Sequence, residues 1–326
     1  MTVKKIKGNI AVLTSGGDCS GMNAAIRSVV RSAIQMGYEV YGIMHGFEGM
    51  IDGAVEKLNA RSVGRIINRG GTILKTARSE RFLTSAGRKK AFDVLKKNSI
   101  GGLIVIGGDG SFRGAHQFFL EYQIPVIGIP ATIDNDLFGT DFSIGTDTAV
   151  NVAMEAIDKI RDTAFSLERM FVIEVMGRHL GYIALRVGLA SGAEEVLLPE
   201  IGFDLKSMVN DIKKGHRRGK ISWIIVVAEG AASASEIADR IHDLTGFTPR
   251  ITVLGYLQRG GSPTAMDRIL AARLGKAAVD ALANGEEDKM VAVTGDRIKL
   301  VEMDFACSGK NELNWGDYQL IKILAI

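Results

Sequence analysis

Proline is scarce, with 5 residues in a chain of 326, which excludes a disordered composition rich in proline and glycine together. Cysteine is scarcer: Cys19 and Cys307 stand alone, too few for a disulfide framework and without metal-ligand spacing. A reducing compartment fits. No apolar run approaches the ~18 residues of a membrane span. The first eight residues carry lysines but no apolar core, so no signal peptide is expected and the expected location is the cytoplasm. Excess charge is also lacking. Forty basic residues against 37 acidic ones leave a net +3, too weak a field to argue for a nucleic-acid partner.

Glycine is what the chain has in plenty. Its 39 glycines in 326 residues stand well above the ~7% of an average protein. Many glycines with few prolines point to tight turns where backbone approaches something closely. The length is comfortable for two cores.

Short apolar, β-branched runs alternate with longer amphipathic stretches. Strands are expected at residues 10–14, 39–43, 103–106, 126–129, 170–175, 196–198, 224–228, 250–254 and 290–293. Helices are expected at 22–36, 88–97, 111–122, 146–164, 205–216, 235–245 and 265–283. Continuous apolar strands separated by helices imply βαβ units and buried, mostly parallel sheets. Such sheets bind ligands outside the carboxyl ends of their strands.

Glycine and charge gather at those ends. Gly107, Gly108, Asp109, Gly110 and Ser111 follow one strand and open a helix. Glycines let backbone N–H groups approach phosphate oxygens, and the helix aims its positive end at the same place. Asp109 could hold Mg²⁺, which takes one or two carboxylates together with substrate phosphates. The bland alternative is a tight turn with Asp109 as helix cap. Ser15, Gly16, Gly17 and Asp18 repeat this arrangement after the first strand. In an extended loop, Thr132, Asp134 and Asp136 would share one side, and a carboxylate beside a substrate hydroxyl can accept its proton during attack on phosphorus. The alternative is an Asx-rich turn bonding its own backbone. Arg78, Arg169, Arg178, Arg250 and Arg259 lie near expected loops and carry forks suited to phosphate. Singly, each reads equally as a solvated surface residue.

Taken together, these segments resemble the bacterial-type 6-phosphofructokinases. The resemblance runs through residues 13–18, 21–27, 67–72, the Gly107 and Thr132 loops, 174–178 and 253–263. It implies an α/β fold of two domains, each a mostly parallel sheet flanked by helices, with the active site in the cleft between them. The nucleotide-binding domain would be discontinuous, 1–145 plus 258–305, and the sugar-phosphate domain 146–257 plus 306–326. The implied activity is phosphoryl transfer from Mg-ATP to fructose 6-phosphate in glycolysis, with Mg²⁺ as cofactor.

Roles follow from the same resemblance. Asp134 would be the general base, beside Thr132 and Asp136. Asp109 or Asp136 would organise Mg²⁺. Gly17 would meet the γ-phosphate and Arg78 the nucleotide phosphates, and Gly108, Gly110, Ser111 and Gly114 would line the nucleotide segment. Arg178 would stand near the transferring group. Met176, Gly177, Glu229, Tyr256 and Arg259 would contact the sugar phosphate. Arg169 and Arg250 would reach a neighbouring subunit's sugar site, so a homotetramer is implied. Arg27, Arg31, Arg161, Glu194, Arg218 and Lys220 fit an effector site for a nucleotide diphosphate or phosphoenolpyruvate.

Some positions depart from the family pattern. Tyr256 stands where histidine is usual, Ser79 where an aromatic residue is usual, and Ala60 where an effector-binding arginine is usual. Arg65 replaces an acidic residue. Gly110 leaves space for an α-phosphate, whereas pyrophosphate-using relatives carry Asp there and Lys at the position of Ala131. The rival readings are a pyrophosphate-dependent phosphofructokinase, a kinase of the NAD-kinase and lipid-kinase type, and a non-catalytic sensor on the same fold.

Overall fold

The computed structural model describes residues 6–309 and 311–325; part of the amino-terminal stretch read above for a leader, residues 1–5, lies outside the described residues. In chain order the elements begin with β1 (Asn9–Thr14), α1 (Met22–Gln35), β2 (Val40–Ile43), α2 (Gly46–Asp52), β3 (Val55–Leu58), α3 (Ser85–Lys97), β4 (Ile100–Gly107), α4 (Asp109–Tyr122) and β5 (Val126–Pro130). Next come α5 (Thr146–Ser166), β6 (Met170–Val175), α6 (Tyr182–Ser191), β7 (Glu195–Leu197), α7 (Leu205–Arg217), β8 (Trp223–Ala228), α8 (Ala234–Thr245) and β9 (Arg250–Val253). The chain closes with α9 (Ala265–Ala283), β10 (Lys289–Thr294), β11 (Arg297–Glu302), α10 (Met303–Ser308) and α11 (Trp315–Leu324). It divides into two compact units, Met1–Asp147 with Arg259–Asn311 and Thr148–Gln258 with Glu312–Ile326.

The first unit is built on a seven-stranded sheet in the order β11-β10-β5-β4-β1-β2-β3. Its interior pairings are parallel, and β3 and β11 add antiparallel edges. Residues Ile10, Ala11, Val12 and Leu13 are all fully buried. A strand covered on both faces reads as an unbroken apolar run rather than an alternating one. On α1, the buried Met22, Ile26, Val29, Val30 and Ala33 form one stripe. Gly275 of α9 sits so close to α1 that a Cβ there would lie 2.6 Å from the Ser28 Cβ.

The second unit carries an all-parallel, four-stranded sheet in the order β7-β8-β6-β9. Its core is Val172, Ile225 and Val227 under Ile212 of α7 and Ile237 and Ile241 of α8. Asp204 and Ser233 cap those two helices by accepting backbone N–H bonds at their starts. The edge strand β9 leaves Ile251 and Val253 exposed. Among the described residues no helix is long and apolar enough to cross a membrane.

Two sequence expectations change. The helix after the Gly107 loop begins at Asp109, with Gly108 at the cap position, so Asp109 is the first helical residue and not the cap. The edge strands β3 and β11 were not expected, because short edge strands with charged residues lack the continuous apolar signal.

Candidate active site

Strands β1, β4 and β5 are adjacent and parallel, so the loops leaving their carboxyl ends must be neighbours. The contacts confirm it. The Ser15 N–H donates to the Ile106 carbonyl at 3.0 Å, and the Ala131 N–H to the Gly107 carbonyl at 2.9 Å. A Cβ on Gly107 would fall 2.7 Å from the Ser15 carbonyl oxygen and from Ser111 Oγ, which no real side chain tolerates. A Cβ on Gly108 would touch Thr132 at 3.4 Å. Glycine here lets three loops close on one another.

At the start of α4, Gly108 has no side chain to cap the helix. The Ser111 N–H donates to the Gly108 carbonyl at 3.0 Å, and the Asp109 and Gly110 N–H groups ahead of it have no side-chain cap, the arrangement of a helix-start anion site. Gly110 has nothing beyond its own helical backbone and chain neighbours within 4 Å of where its Cβ would stand. Both carboxylate oxygens of Asp109 accept from Arg113 Nε, at 3.0 and 3.1 Å, and Arg113 Nη2 also donates to the Cys307 carbonyl. The Cys307 thiol is pushed up to about 12, first by burial and then by the charge of Asp109. Burial likewise pushes the Cys19 thiol up, with Asp267 and Asp18 adding to it.

The Thr132 loop is not extended throughout. It bends at Ile133 and Asp134, and Asn135 is left-handed at φ 51°, so the expected alternation of Thr132, Asp134 and Asp136 does not hold. Thr132 instead behaves as a turn former: its Oγ1 accepts from the Asp134 N–H at 3.2 Å. Its carbonyl accepts the hydroxyls of Ser143 at 2.7 Å and Thr146 at 2.9 Å. Asn135 is clamped by the Asp141 carbonyl and the Ser143 N–H. The result is a fixed loop in which the Asp134 side chain is 3% exposed.

Beneath these loops lies a support that the sequence motifs did not announce. Asn23 donates to the carbonyls of Arg69 and Gly70 and accepts from the Ile73 N–H. Ser20 Oγ reaches the carbonyls of Gly260 and Gly261. A Cβ on Gly70 would lie 2.4 Å from the Gly261 oxygen. Segments 21–27, 67–72 and 259–263 are thus packed together, and the Arg259 guanidinium lies against Gly17. Arg78 is exposed, in the loop before Arg81–Leu83.

In the second unit, the loops after β6 and β8 are tied together. Glu229 Oε1 accepts the Gly177 and Arg178 N–H groups at 3.3 and 2.9 Å, and Gln258 accepts from the Met176 N–H at 3.3 Å. A Cβ on Gly230 would collide with the Arg178 carbonyl at 1.9 Å. Met176, Gly177, Arg178 and Glu229 therefore gather at the carboxyl ends of the strands. Arg169 and Arg250 do not join them. Arg169 precedes β6, and Arg250 opens β9 paired with Phe171, so both sit at the opposite end of the sheet. Tyr256 is exposed in the turn Gly255–Arg259.

Glu194 gathers two of the expected effector cations, Lys220 at 3.3 Å and Arg161 at 3.8 Å. Arg218, Lys220 and Glu194 line a cavity of about 650 Å³ together with Glu195, Asp211, Lys214, Trp223 and Lys322; these last five carry no motif and were not expected there. Arg27 and Arg31 lie on α1 of the first unit, where Arg31 donates to the Ala60 carbonyl at 3.5 Å.

Among the described residues no group of three or more His, Cys, Asp or Glu side chains could hold a metal by itself. Asp109, already ion-paired with Arg113, and Asp136 offer separate carboxylates, so Mg²⁺ would be carried mainly by phosphate oxygens and water.

The sequence profile described as Phosphofructokinase matches residues 9–282. A protein of Natranaerobius thermophilus named ATP-dependent 6-phosphofructokinase is 54% identical over 97% of this chain and 99% of its own length. A solved phosphofructokinase from Saccharomyces cerevisiae superposes with a TM-score of 0.89 at 34% identity, over 92% of this chain and 45% of that one. A pyrophosphate-dependent phosphofructokinase from Marinobacter aquaeolei gives 0.83 at 25% identity, over 94% of this chain and 86% of that one.

Proposed function

The chain belongs to the phosphofructokinase family, and from that premise we infer that it transfers the γ-phosphoryl group of ATP to the 1-hydroxyl of fructose 6-phosphate. This is the ATP-dependent phosphorylation step of glycolysis. One observation carries the reading of the site: a carboxylate shielded from water, Asp134, on a fixed loop whose Thr132 stands 3.4 Å from where a side chain on Gly108 of the nucleotide loop would begin.

Asp134 accepts the proton of the 1-hydroxyl as that oxygen attacks phosphorus in line. Its loop is held by Ser143, Thr146 and Asn135, so little reorganisation is needed at the moment of reaction. The N–H of Gly17 and the open start of α4, with Gly108, Gly110, Ser111 and Gly114, receive the nucleotide phosphates, and Arg78 adds a fork. Mg²⁺, held by Asp109 and Asp136 together with the phosphates, would offset the negative charge of the triphosphate. Arg178 steadies the charge of the group in transit. Met176, Gly177, Glu229, Tyr256 and Arg259 bind the sugar phosphate.

Arg169 and Arg250 serve the sugar site of a second copy, in a homotetramer. Their place at the far end of a sheet whose six-residue central strand spans ~20 Å supports this, as does the exposed Ile251 next to Arg250. The cavity of the second unit, lined by Lys214, Arg218, Lys220 and Lys322 against Glu194, Glu195 and Asp211, takes an anionic effector of the nucleoside diphosphate or phosphoenolpyruvate type.

The reading is tested by coupled assay of fructose 1,6-bisphosphate formation, first with ATP and then with pyrophosphate. Turnover is expected with ATP alone. Asp134→Ala should lower kcat at least ~100-fold, the contribution of a general base. A variant with near-normal turnover would remove Asp134 from the role.

A further inference from the structure

We propose that Glu48 is a positioning residue for the nucleotide arginine: its carboxylate pins the loop that presents Arg78. The proposal rests on the reading of Arg78 as a phosphate contact. Residues 75–79 form no helix or strand, and an exposed arginine on a slack loop would have to be ordered each time an anion arrives. This loop is held at both ends. Upstream, Thr14 Oγ1 donates to the Lys75 carbonyl at 2.7 Å, and Thr76 Oγ1 to the Gly16 carbonyl at 2.8 Å. That side is therefore fastened to β1 and the loop leaving it.

Downstream, the fastening is Glu48. Ser79 Oγ donates to Glu48 Oε2 and accepts the Phe82 N–H at 3.1 Å. Arg81 Nε donates to Glu48 Oε1 at 2.5 Å, and Arg81 Nη2 to Asp52 at 2.8 Å. Beside the polar clamp is an apolar one: Phe47, the neighbour of Glu48, stacks on Phe82 with centroids 4.1 Å apart and planes 12° apart. Serine has a single heavy-atom torsion, so holding its hydroxyl holds the backbone next to Arg78. A long side chain in a surface ion pair would transmit far less. The bond from Ser79, and then that from Arg81, also keeps the Glu48 carboxyl below its ordinary range. Glu48 touches neither substrate nor reacting atoms in this account and acts only through the loop.

The test uses the full-length enzyme and the variants Arg78→Ala, Glu48→Ala, Ser79→Ala, Ser79→Thr and Glu48→Ala with Arg78→Ala. Steady-state kinetics and equilibrium binding of a fluorescent ATP analogue are the readouts. Arg78→Ala should raise the KM for ATP about tenfold or more. Glu48→Ala and Ser79→Ala should each raise it about three- to tenfold, with a smaller change in kcat and none in the KM for fructose 6-phosphate. Ser79→Thr keeps the hydroxyl and should restore ATP affinity. In the double variant, Glu48→Ala should add nothing to Arg78→Ala, because the clamp then has nothing to position. The proposal fails if Glu48→Ala leaves ATP affinity intact while Arg78→Ala weakens it, or if the two effects add. It fails also if both KM values shift together with a falling Tm, the mark of a merely structural role. If Arg78→Ala itself leaves ATP affinity unchanged, the assignment of Arg78 falls and the proposal with it.

Discussion

Gly110 faces open space, with no atom beyond its own helical backbone and chain neighbours within 4 Å of the point where a first side-chain carbon would stand. The fold itself would accept an aspartate there, and a carboxylate in the first turn of a helix is not destabilising. What it would oppose is the nucleotide, by crowding and repelling the phosphate chain. Gly110→Asp should therefore leave Tm within ~2 °C while raising the KM for ATP at least ~tenfold, measured side by side in a thermal melt and the coupled assay. Cys19 and Cys307 make an opposite kind of residue-scale statement. Both are buried with thiols shifted upward, chiefly by burial, so neither supplies thiolate at neutral pH. Iodoacetamide at pH 8 should label neither in the native protein and both after unfolding; rapid native labelling would contradict their burial. Asp109 and Asp134 were readable as candidates because each follows an apolar strand within four residues. The bonds of Ser79, Arg113 and Asn23 were not, since their partners are set by tertiary approach and leave no local pattern.

Between elements, α3 and α4 are joined by Arg88, which forks onto Glu121 at 2.6 and 2.8 Å and also holds the carbonyls of Phe82 and Leu83. The Glu121 carboxyl lies below its ordinary range because Arg88 bonds it. A depressed carboxylate contributes stability above its unfolded pKa, and that contribution is lost as pH falls through the folded pKa. Glu121→Gln should thus cost about 1 kcal/mol at pH 7, a modest figure because a quarter of the Glu121 side chain stays in water. The gap in Tm between variant and parent should narrow once pH drops under the ordinary glutamate value of ~4.3 and close as it falls through the lowered folded value. At this scale the interior strands were legible, since a buried parallel strand writes itself as Ile, Val and Leu without interruption. The element α6 was not: Ile183, Ala184, Leu185, Val187 and Gly188 are all buried, which blurs the one-sided stripe that marks a surface helix. Seven-residue α2 was too short to show a period, and β11 alternates charged and apolar residues at an edge.

At the scale of the whole molecule, the separation of Arg169 and Arg250 from Met176, Arg178 and Glu229 makes a sharp expectation. If arginines of one copy complete the sugar site of another, two dead variants should cure each other. Co-expressed Asp134→Ala and Arg250→Ala chains should assemble into hybrids with about a quarter of the parent activity, the fraction of sites that draw a sound aspartate and a sound arginine from different chains. Each variant alone should be nearly inactive, and unchanged inactivity in purified hybrids would place both groups in a single chain's site. The two-ended sheet has a further consequence for handling the enzyme. If the charge complement is split among chains in this way, the catalyst exists only while those chains stay associated, and output per milligram becomes a function of concentration. Progress curves started from highly dilute stock should show a lag that shortens as protein is added, the slow phase being reassembly rather than chemistry.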